Sequence, residues 1–286
     1  MTDAPDILLT GATGSTGGAT AAALTARGIP FRAASRRPTS AAFSVVVDLD
    51  DAGSVRAALK GVRAAYLVTP SSERAEAQQK QFVDLAVEAG VRRLVLLSQL
   101  GSDLGSPVRF LRYHAEVERH AFASGLEVTS LRPNLFMQGL LAMADAVRAT
   151  RTLPAPIGDA AVSLIDVRDI GDAAARALTA PEPWGIRTLT GPEALTHAEL
   201  ADRLSAAVGH EIRFQDVPPA AFADMLAGVL PEWQVDGLLE DYAHYARGEA
   251  AEVSAEIPAL LGRPARGFRA FAAEHAAAFR DAPAEV

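Results

Sequence analysis

The chain has 286 residues, of which 49% are apolar and 22% charged, which excludes a disordered polymer and supplies enough apolar surface for a core without covalent staples. Lysine and arginine number 27 against 35 aspartates and glutamates, a formal charge of −8, so nucleic-acid and membrane-surface partners are disfavoured. Cysteine is absent, which excludes disulfides, thiolate metal sites and cysteine nucleophiles, and with no signal-like segment or run of roughly 18 apolar residues the expected setting is the cytoplasm.

Short β-branched runs alternate with helical patterns through the first 130 residues. Residues 7–10 read as a buried strand, 17–27 as a helix stopped at Gly28, 31–35 and 44–47 as the second and third strands, and 51–60 as a helix. Residues 64–69 form the fourth expected strand; Ser71 or Ser72 then caps a long helix to Gly90 with Phe82, Leu85 and Ala89 on one face. Residues 94–97 and 128–131 are the fifth and sixth strands, with a helix over 108–124 between them. Continuous apolar strands alternating with helices imply a parallel sheet covered on both faces, and right-handed crossovers make it doubly wound. Beyond Leu135 the alternation loosens. Residues 162–165 suggest one more strand, 168–178 a helix and 187–190 a short strand, followed by several helices. The expected class is therefore α/β, a Rossmann-like core over 1–134, with 135–286 holding the remaining core elements and a smaller, mostly helical substrate-side subdomain packed on the sheet.

The first strand runs directly into Gly11-Ala12-Thr13-Gly14-Ser15-Thr16-Gly17. A strand–glycine loop–helix junction suits a dinucleotide: Gly11 allows the turn, Gly14 lets the backbone approach a pyrophosphate, and Gly17 lets the helix sit close to the sheet with its N-terminal amides on the anion. The bland reading is an ordinary strand–helix turn. After the second strand, where an NAD site places a carboxylate, the chain has Arg36-Arg37; two guanidiniums suit a 2′-phosphate and point to NADP(H). Only Lys60 and Lys80 among the basic residues are lysine, so in this arginine-rich chain the competing reading is two solvated loop residues. Asp48 and Leu49, at the end of the third strand, offer a carboxylate for the adenine amino group and an apolar contact for the ring. Thr69 and Pro133, after the fourth and sixth strands, complete the expected cofactor contacts.

These motifs, with residues 131–137 (LRPNLFM), 189–196 (LTGPEALT) and the ending Leu261-Gly262-Arg263-Pro264, Phe268, Phe271, Ala272 and His275, resemble the NmrA-like branch of the atypical short-chain dehydrogenases over nearly the whole chain. The resemblance implies an NADPH-dependent reductase of quinone-like, conjugated or iminium acceptors. It equally admits a non-catalytic NADP(H)-sensing regulator, or a non-redox tailoring enzyme on the same fold. The wider superfamily works with a Tyr-x-x-x-Lys pair, which this chain lacks: the residues four beyond Tyr66, Tyr113, Tyr242 and Tyr245 are Pro70, Val117, Ala246 and Glu249. That weakens alcohol dehydrogenation and sugar epimerisation, but not hydride delivery to an activated acceptor.

Ser98 ends the fifth strand, where its hydroxyl could donate to a substrate carbonyl or simply to backbone. Tyr113 and His114 open the helix that carries the catalytic pair in relatives, and by resemblance to the isoflavone-reductase branch His114 sits near the position of that branch's functional lysine, where it could supply a proton near neutral pH or merely bond a neighbour. After Pro133 and Asn134, which resemble the segment that pins the nicotinamide carboxamide, Phe136 and Met137 are expected to face the substrate. With Trp233, and with Phe222 and Met225, they suggest an apolar, aromatic small molecule, unless the stripe is core. Asp166 or Asp169 reads as a helix cap, and no histidine–carboxylate spacing suggests a metal.

Overall fold

The computed structural model describes residues 4–280. The chain forms two compact units, one from the residues up to Pro133 with Val167–Leu189, the other from Asn134–Asp166 with the residues from Thr190 onward. The first stretch holds β1 (Ile7–Leu9), α1 (Ser15–Ala26), β2 (Arg32–Ser35), β3 (Ser44–Val46), α2 (Ala52–Leu59), β4 (Ala64–Leu67), α3 (Ala75–Glu88), β5 (Arg93–Leu97), α4 (Arg109–Ala123) and β6 (Glu127–Pro133). A 3-10 turn (Met137–Met143), α5 (Ala144–Thr150), β7 (Thr152–Ala155) and β8 (Ala161–Val162) open the second unit, and α6 (Val167–Thr179) and β9 (Gly185–Leu189) return to the first. The rest comprises β10 (Leu195–Thr196), α7 (His197–Val208), β11 (Arg213–Asp216), α8 (Pro219–Leu226), α9 (Glu232–Ala246), α10 (Glu256–Leu261), α11 (Phe268–Glu274) and α12 (Ala276–Phe279).

In the first unit seven strands form one sheet in the order β3-β2-β1-β4-β5-β6-β9, and every pairing is parallel, with Leu8 between Arg32 and Ala65, and Leu96 between Leu67 and Ser130. The two halves wind outward from β1 and β4, which opens a crevice above the carboxyl ends of those strands. Both strands are buried throughout, as their unbroken apolar runs require. Val55, Phe82 and Val117 of α2, α3 and α4 pack against Leu8, Ala65, Leu67, Leu94 and Leu96. On the other face α1 lies against α6. Their contact is close because α6 carries Gly171, where a Cβ would fall 2.5 Å from the carbonyl carbon of Ala19.

Three local expectations are corrected. Neither Ser71 nor Ser72 caps α3 by its side chain; the helix starts after Arg74, and a turn closed by the Ala75 amide on the Ser72 carbonyl (3.0 Å) precedes it. Ala89 lies past the last turn of α3 and is exposed, so the buried face is Phe82 and Leu85 with Val83 and Ala86. Residues 162–165 add nothing to the main sheet: only Val162 with Ala161 is strand, paired antiparallel to β10, and the seventh strand is β9.

The second unit has its own core, in which Leu153, Val162, Leu200, Leu204, Phe222, Tyr242, Phe268, Phe271 and Phe279 are buried together. β7 and β11 pair in parallel, and α7 begins with a capping box between Thr196 and Glu199 and ends on left-handed Gly209. Among the described residues no helix is long and apolar enough to cross a membrane.

Candidate active site

The glycine loop leaves β1 through Thr10, whose Oγ1 donates to the Val68 carbonyl and accepts from the Val68 amide, both at 2.8 Å. This pins the start of the loop to the end of β4. Gly11 then turns at φ +59°, where a Cβ would press to 2.8 Å from a Val68 methyl. Gly14 donates back to the Gly11 carbonyl at 2.8 Å and caps α1 in extended conformation without a side-chain partner. A Cβ on Gly17 would lie 2.1 Å from the Gly11 carbonyl oxygen, so the first turn of α1 rests on the loop backbone. The amides of Ser15, Thr16 and Gly17 precede the first intrahelical bond, which Gly18 makes to Gly14, and as orphan donors at a helix N-terminus they form a cradle for an anion. Thr13 and Ser15 are exposed on its rim and Thr16 is buried beneath it.

Around this cradle the other strand ends bring the remaining first-unit candidates. Arg36 and Arg37 are exposed after β2, and among the described residues neither guanidinium has an ion-pair partner; the Ser35 hydroxyl donates to the Arg37 carbonyl at 2.5 Å and shapes the turn. Asp48 is exposed, its Oδ1 accepting from the Asp50 amide at 3.0 Å, and Leu49 packs at the edge of the core. Thr69 accepts from Gln79 Nε2 at 2.8 Å, which leaves its own hydroxyl hydrogen available. The Pro133 carbonyl accepts from the Leu100 amide at 2.9 Å, and the Ser98 amide donates to the Leu131 carbonyl at 2.8 Å, so the ends of β5 and β6 are tied together. The residues present therefore fit a dinucleotide, with a side-chain-free cradle for the pyrophosphate and two cations one strand away.

Tyr113 and His114 stand in the first turns of α4, ring centroids 4.1 Å apart. The Tyr113 hydroxyl lies 3.2 Å from Ser71 Oγ, at the end of β4. His114 is buried with Nδ1 lacking a partner, and burial pushes its pKa down to about 3, the nearby Glu118 carboxylate and Arg132 guanidinium acting in opposite senses. Burial therefore favours the uncharged imidazole of His114 at neutral pH. One turn further, Glu118 is buried and binds Arg132 through both carboxylate oxygens, with Arg132 Nε donating at 2.8 Å. Ser130 donates to the same carboxylate at 2.7 Å. Burial works against the Glu118 charge, but these hydrogen bonds outweigh it and hold its pKa below the usual carboxylate value.

In the second unit Phe136 is half-buried, next to the bridge it makes with Ile165. Met137 is 1% exposed and packs in the core, its terminal methyl close to Gly191. Trp233 is half-buried in the first turn of α9, Phe222 is core against Tyr242, and Met225 is exposed. Asn134 binds Ser163 Oγ and the Ala250 carbonyl, each at 2.8 Å. A groove of about 590 Å³ in this unit, lined by Ile157, Gly158, Asp159, Asp216 and Ala246, contains none of the residues singled out. Sequence reasoning missed Ser71 as a partner of Tyr113, and missed Glu118 and its pairing with Arg132; the available signal was Ser130 and Arg132 on one face of a strand buried from Val128 to Leu131.

A parallel sheet in this order, with a glycine cradle at the switch point of its strands, defines a nucleotide-binding α/β protein. The chain belongs to the NmrA-like family, whose model matches residues 4–259. It is 34% identical over 282 residues to an NAD(P)H azoreductase from Xenophilus azovorans, covering 96% of this chain and 99% of that one. It is also 34% identical over 281 residues to a (4-alkanoyl-5-oxo-2,5-dihydrofuran-3-yl)methyl phosphate reductase from Streptomyces griseus, with coverage of 96% and 99%. Among solved structures, the NADPH complex of a quinone oxidoreductase from Escherichia coli superposes with a TM-score of 0.84 at 26% identity, covering 94% of this chain and 99% of that one.

Proposed function

We propose that this protein is an NADPH-dependent reductase that passes hydride to a conjugated, quinone-like or iminium small molecule. The observation that carries the reading is the cradle of Gly11, Gly14 and Gly17, which has no room for a Cβ at Gly11 or Gly17 and presents the orphan amides of α1. The relatives named above are an NAD(P)H azoreductase, an NADPH-bound quinone oxidoreductase and a reductase of an unsaturated lactone, whose acceptors have an electron-poor π system in common.

When bound, NADPH supplies the hydride; the chain supplies position and polarity. The amides of Ser15, Thr16 and Gly17 hold the pyrophosphate, with Thr13 at the rim. Arg36 and Arg37 grip the 2′-phosphate, Asp48 and Leu49 receive the adenine, and Thr69 offers its hydroxyl to the ribose–phosphate region. Tyr113, with Ser71 at its oxygen, gives the acceptor a hydrogen-bond donor where negative charge develops. The chain has no Tyr-x-x-x-Lys pair, so the site suits acceptors that take up electrons readily and relies on orientation for rate. His114, neutral and buried, orients the Tyr113 ring by stacking.

The test is nicotinamide fluorescence of NADPH with the purified protein, continued through quinones, azo dyes, enones and iminium ions. A changed signal that decays with one acceptor class establishes the activity. A changed signal that no acceptor discharges favours a sensor, and no change refutes the reading of the loop.

A further inference from the structure

The buried side of α3 consists of Ala75, Phe82, Val83, Leu85 and Ala86, all apolar, and one amide, Gln79. Gln79 is 1% exposed. Its Nε2 donates to Thr69 Oγ1 at 2.8 Å, while its Oε1 is buried without a partner. An orphan carbonyl in the interior costs stability, and an apolar side chain of the same length would avoid it. Packing alone therefore does not account for a glutamine at this position.

What the amide does is fix a hydroxyl beside the glycine cradle. Thr69 follows Val68, whose backbone is held at both polar atoms by Thr10 Oγ1 and whose methyl is the group a Cβ on Gly11 would strike. Among the strand-end hydroxyls, Ser98 is buried with its Oγ 3.0 Å from Ser102 Oγ, whereas Thr69 is only half-buried and open to a ligand. A threonine hydroxyl has one hydrogen. Because Gln79 donates to Thr69 Oγ1 from the buried side, that hydrogen has to go elsewhere, and among the described residues no acceptor takes it.

We propose that Gln79 is a positioning residue for the dinucleotide: it occupies Thr69 Oγ1 from the interior and keeps the Thr69 hydrogen directed outward, toward a phosphate or ribose oxygen of the cofactor. The inference deepens the cofactor half of the reductase reading and rests on it. A free hydroxyl turns either its hydrogen or its lone pairs to a ligand, and lone pairs facing an anion repel it. A hydroxyl already set as a donor needs no reorganisation when the anion arrives.

The test is fluorescence titration of NADPH at pH 9 with the full chain and its variants. Thr69→Val should weaken binding about tenfold, the worth of one hydrogen bond to a charged group. Gln79→Glu puts an acceptor where the donor was, draws the Thr69 hydrogen inward and should lose a similar amount. The double variant should lose no more than Thr69→Val alone. Parent-like affinity in Gln79→Glu overturns the proposal, because Thr69 then already faces an acceptor. A Gln79→Glu loss that persists undiminished in the Thr69→Val background overturns it too, since charge or disturbed packing acts with or without the hydroxyl.

Gln79→Met keeps the test open should the carboxylate impair folding. It removes the orphan oxygen, so it should unfold at no lower urea concentration than the parent. It should bind NADPH about threefold more weakly, the cost of fixing one hydroxyl among three staggered wells, and that loss should vanish beside Thr69→Val. A loss that remains there marks a structural role and overturns the proposal. Unchanged affinity in Thr69→Val overturns the proposal but leaves the cradle standing, whereas a parent that binds no NADPH refutes the cofactor reading itself.

Discussion

Gly17 and Gly18 are neighbours in the same helical turn, yet adding one methyl to each should have opposite results. At Gly17 the new Cβ would fall 2.1 Å from the Gly11 oxygen, 2.6 Å from the Gly11 carbonyl carbon and 3.1 Å from the Ala12 nitrogen. All three are backbone atoms, so no rotamer change relieves the clash, and α1 has to back away from the loop by about 1 Å to restore ordinary contact. Two charge-assisted bonds from the first-turn amides to a pyrophosphate, stretched by that distance, are lost at about 1.5–3 kcal/mol each. Gly17→Ala should therefore weaken NADPH binding by about 10²-fold or more. At Gly18 the nearest atom to a new Cβ is the Ala12 oxygen at 3.6 Å, an ordinary contact, and alanine is favoured over glycine within a helix by up to about 1 kcal/mol. Gly18→Ala should bind NADPH like the parent and unfold at higher urea concentration. Fluorescence titration with NADPH and urea unfolding of both variants decide the matter. Parent-like affinity in Gly17→Ala, or equal losses in the two variants, would refute the cradle.

Replacing Arg36 and Arg37 together by alanine should cost about 1.5–3 kcal/mol of NADPH affinity and spare NADH, measured by parallel titrations; equal losses would assign the pair to solvent. Tyr113→Phe should lower kcat with the best acceptor by about 10²-fold while KM for NADPH holds, as expected for a donor that acts on developing charge, and an unchanged kcat would remove Tyr113 from the reaction. His197 is buried with both ring nitrogens unpartnered, against Phe214 and Tyr242; burial lowers its pKa from 6.5 to about 4, as it lowers that of His114 to about 3. Both folded-state values lie below the unfolded ones, so the unfolded chain binds protons first: the stability is complete above pH 6.5 and is lost as pH falls from there toward 4. By pH 4 each histidine should have withdrawn about 3 kcal/mol, visible in urea midpoints against pH. His197→Leu, which removes two unsatisfied nitrogens, should flatten part of that slope and raise stability at pH 7; an equally steep slope in the variant would show that other groups drive acid unfolding.

The first unit was legible because its signals are local. A run such as Leu94–Leu97 is buried on both faces of the sheet and so is apolar throughout, and the glycine spacing of 11, 14 and 17 reports backbone contacts made within seven residues. The strand at 187–190 was legible but not its place as the seventh of the sheet, since β9 lies at the sheet edge with Ile186 exposed and only Leu189 buried, unlike the continuous apolar runs of the central strands. Met137 shows the complementary difficulty: it begins a 3-10 turn immediately after a half-buried phenylalanine, and sequence does not say which of two adjacent apolar side chains the turn directs inward.

The Glu118 cluster was illegible for a different reason. A glutamate on an amphipathic helix reads as solvated surface unless its counter-charge is visible, and Arg132 stands 14 residues away across the connection from α4 to β6. What betrays it is placement: Ser130 and Arg132 share one face of a strand whose residues 128–131 are all buried, and a guanidinium there must find a carboxylate or leave the sheet. Arg36 and Arg37 make the opposite case. Arg32, which opens β2, donates to the carbonyls of Pro5, Ala58 and Lys60, whereas two adjacent cations beyond β2 have no such partners among the described residues. Arg132 is informative because a buried carboxylate holds it through two bonds, and Arg36 and Arg37 because no described carboxylate pairs with them: the first pattern ties α4 to β6, the second leaves positive charge at the strand end where an anion is expected.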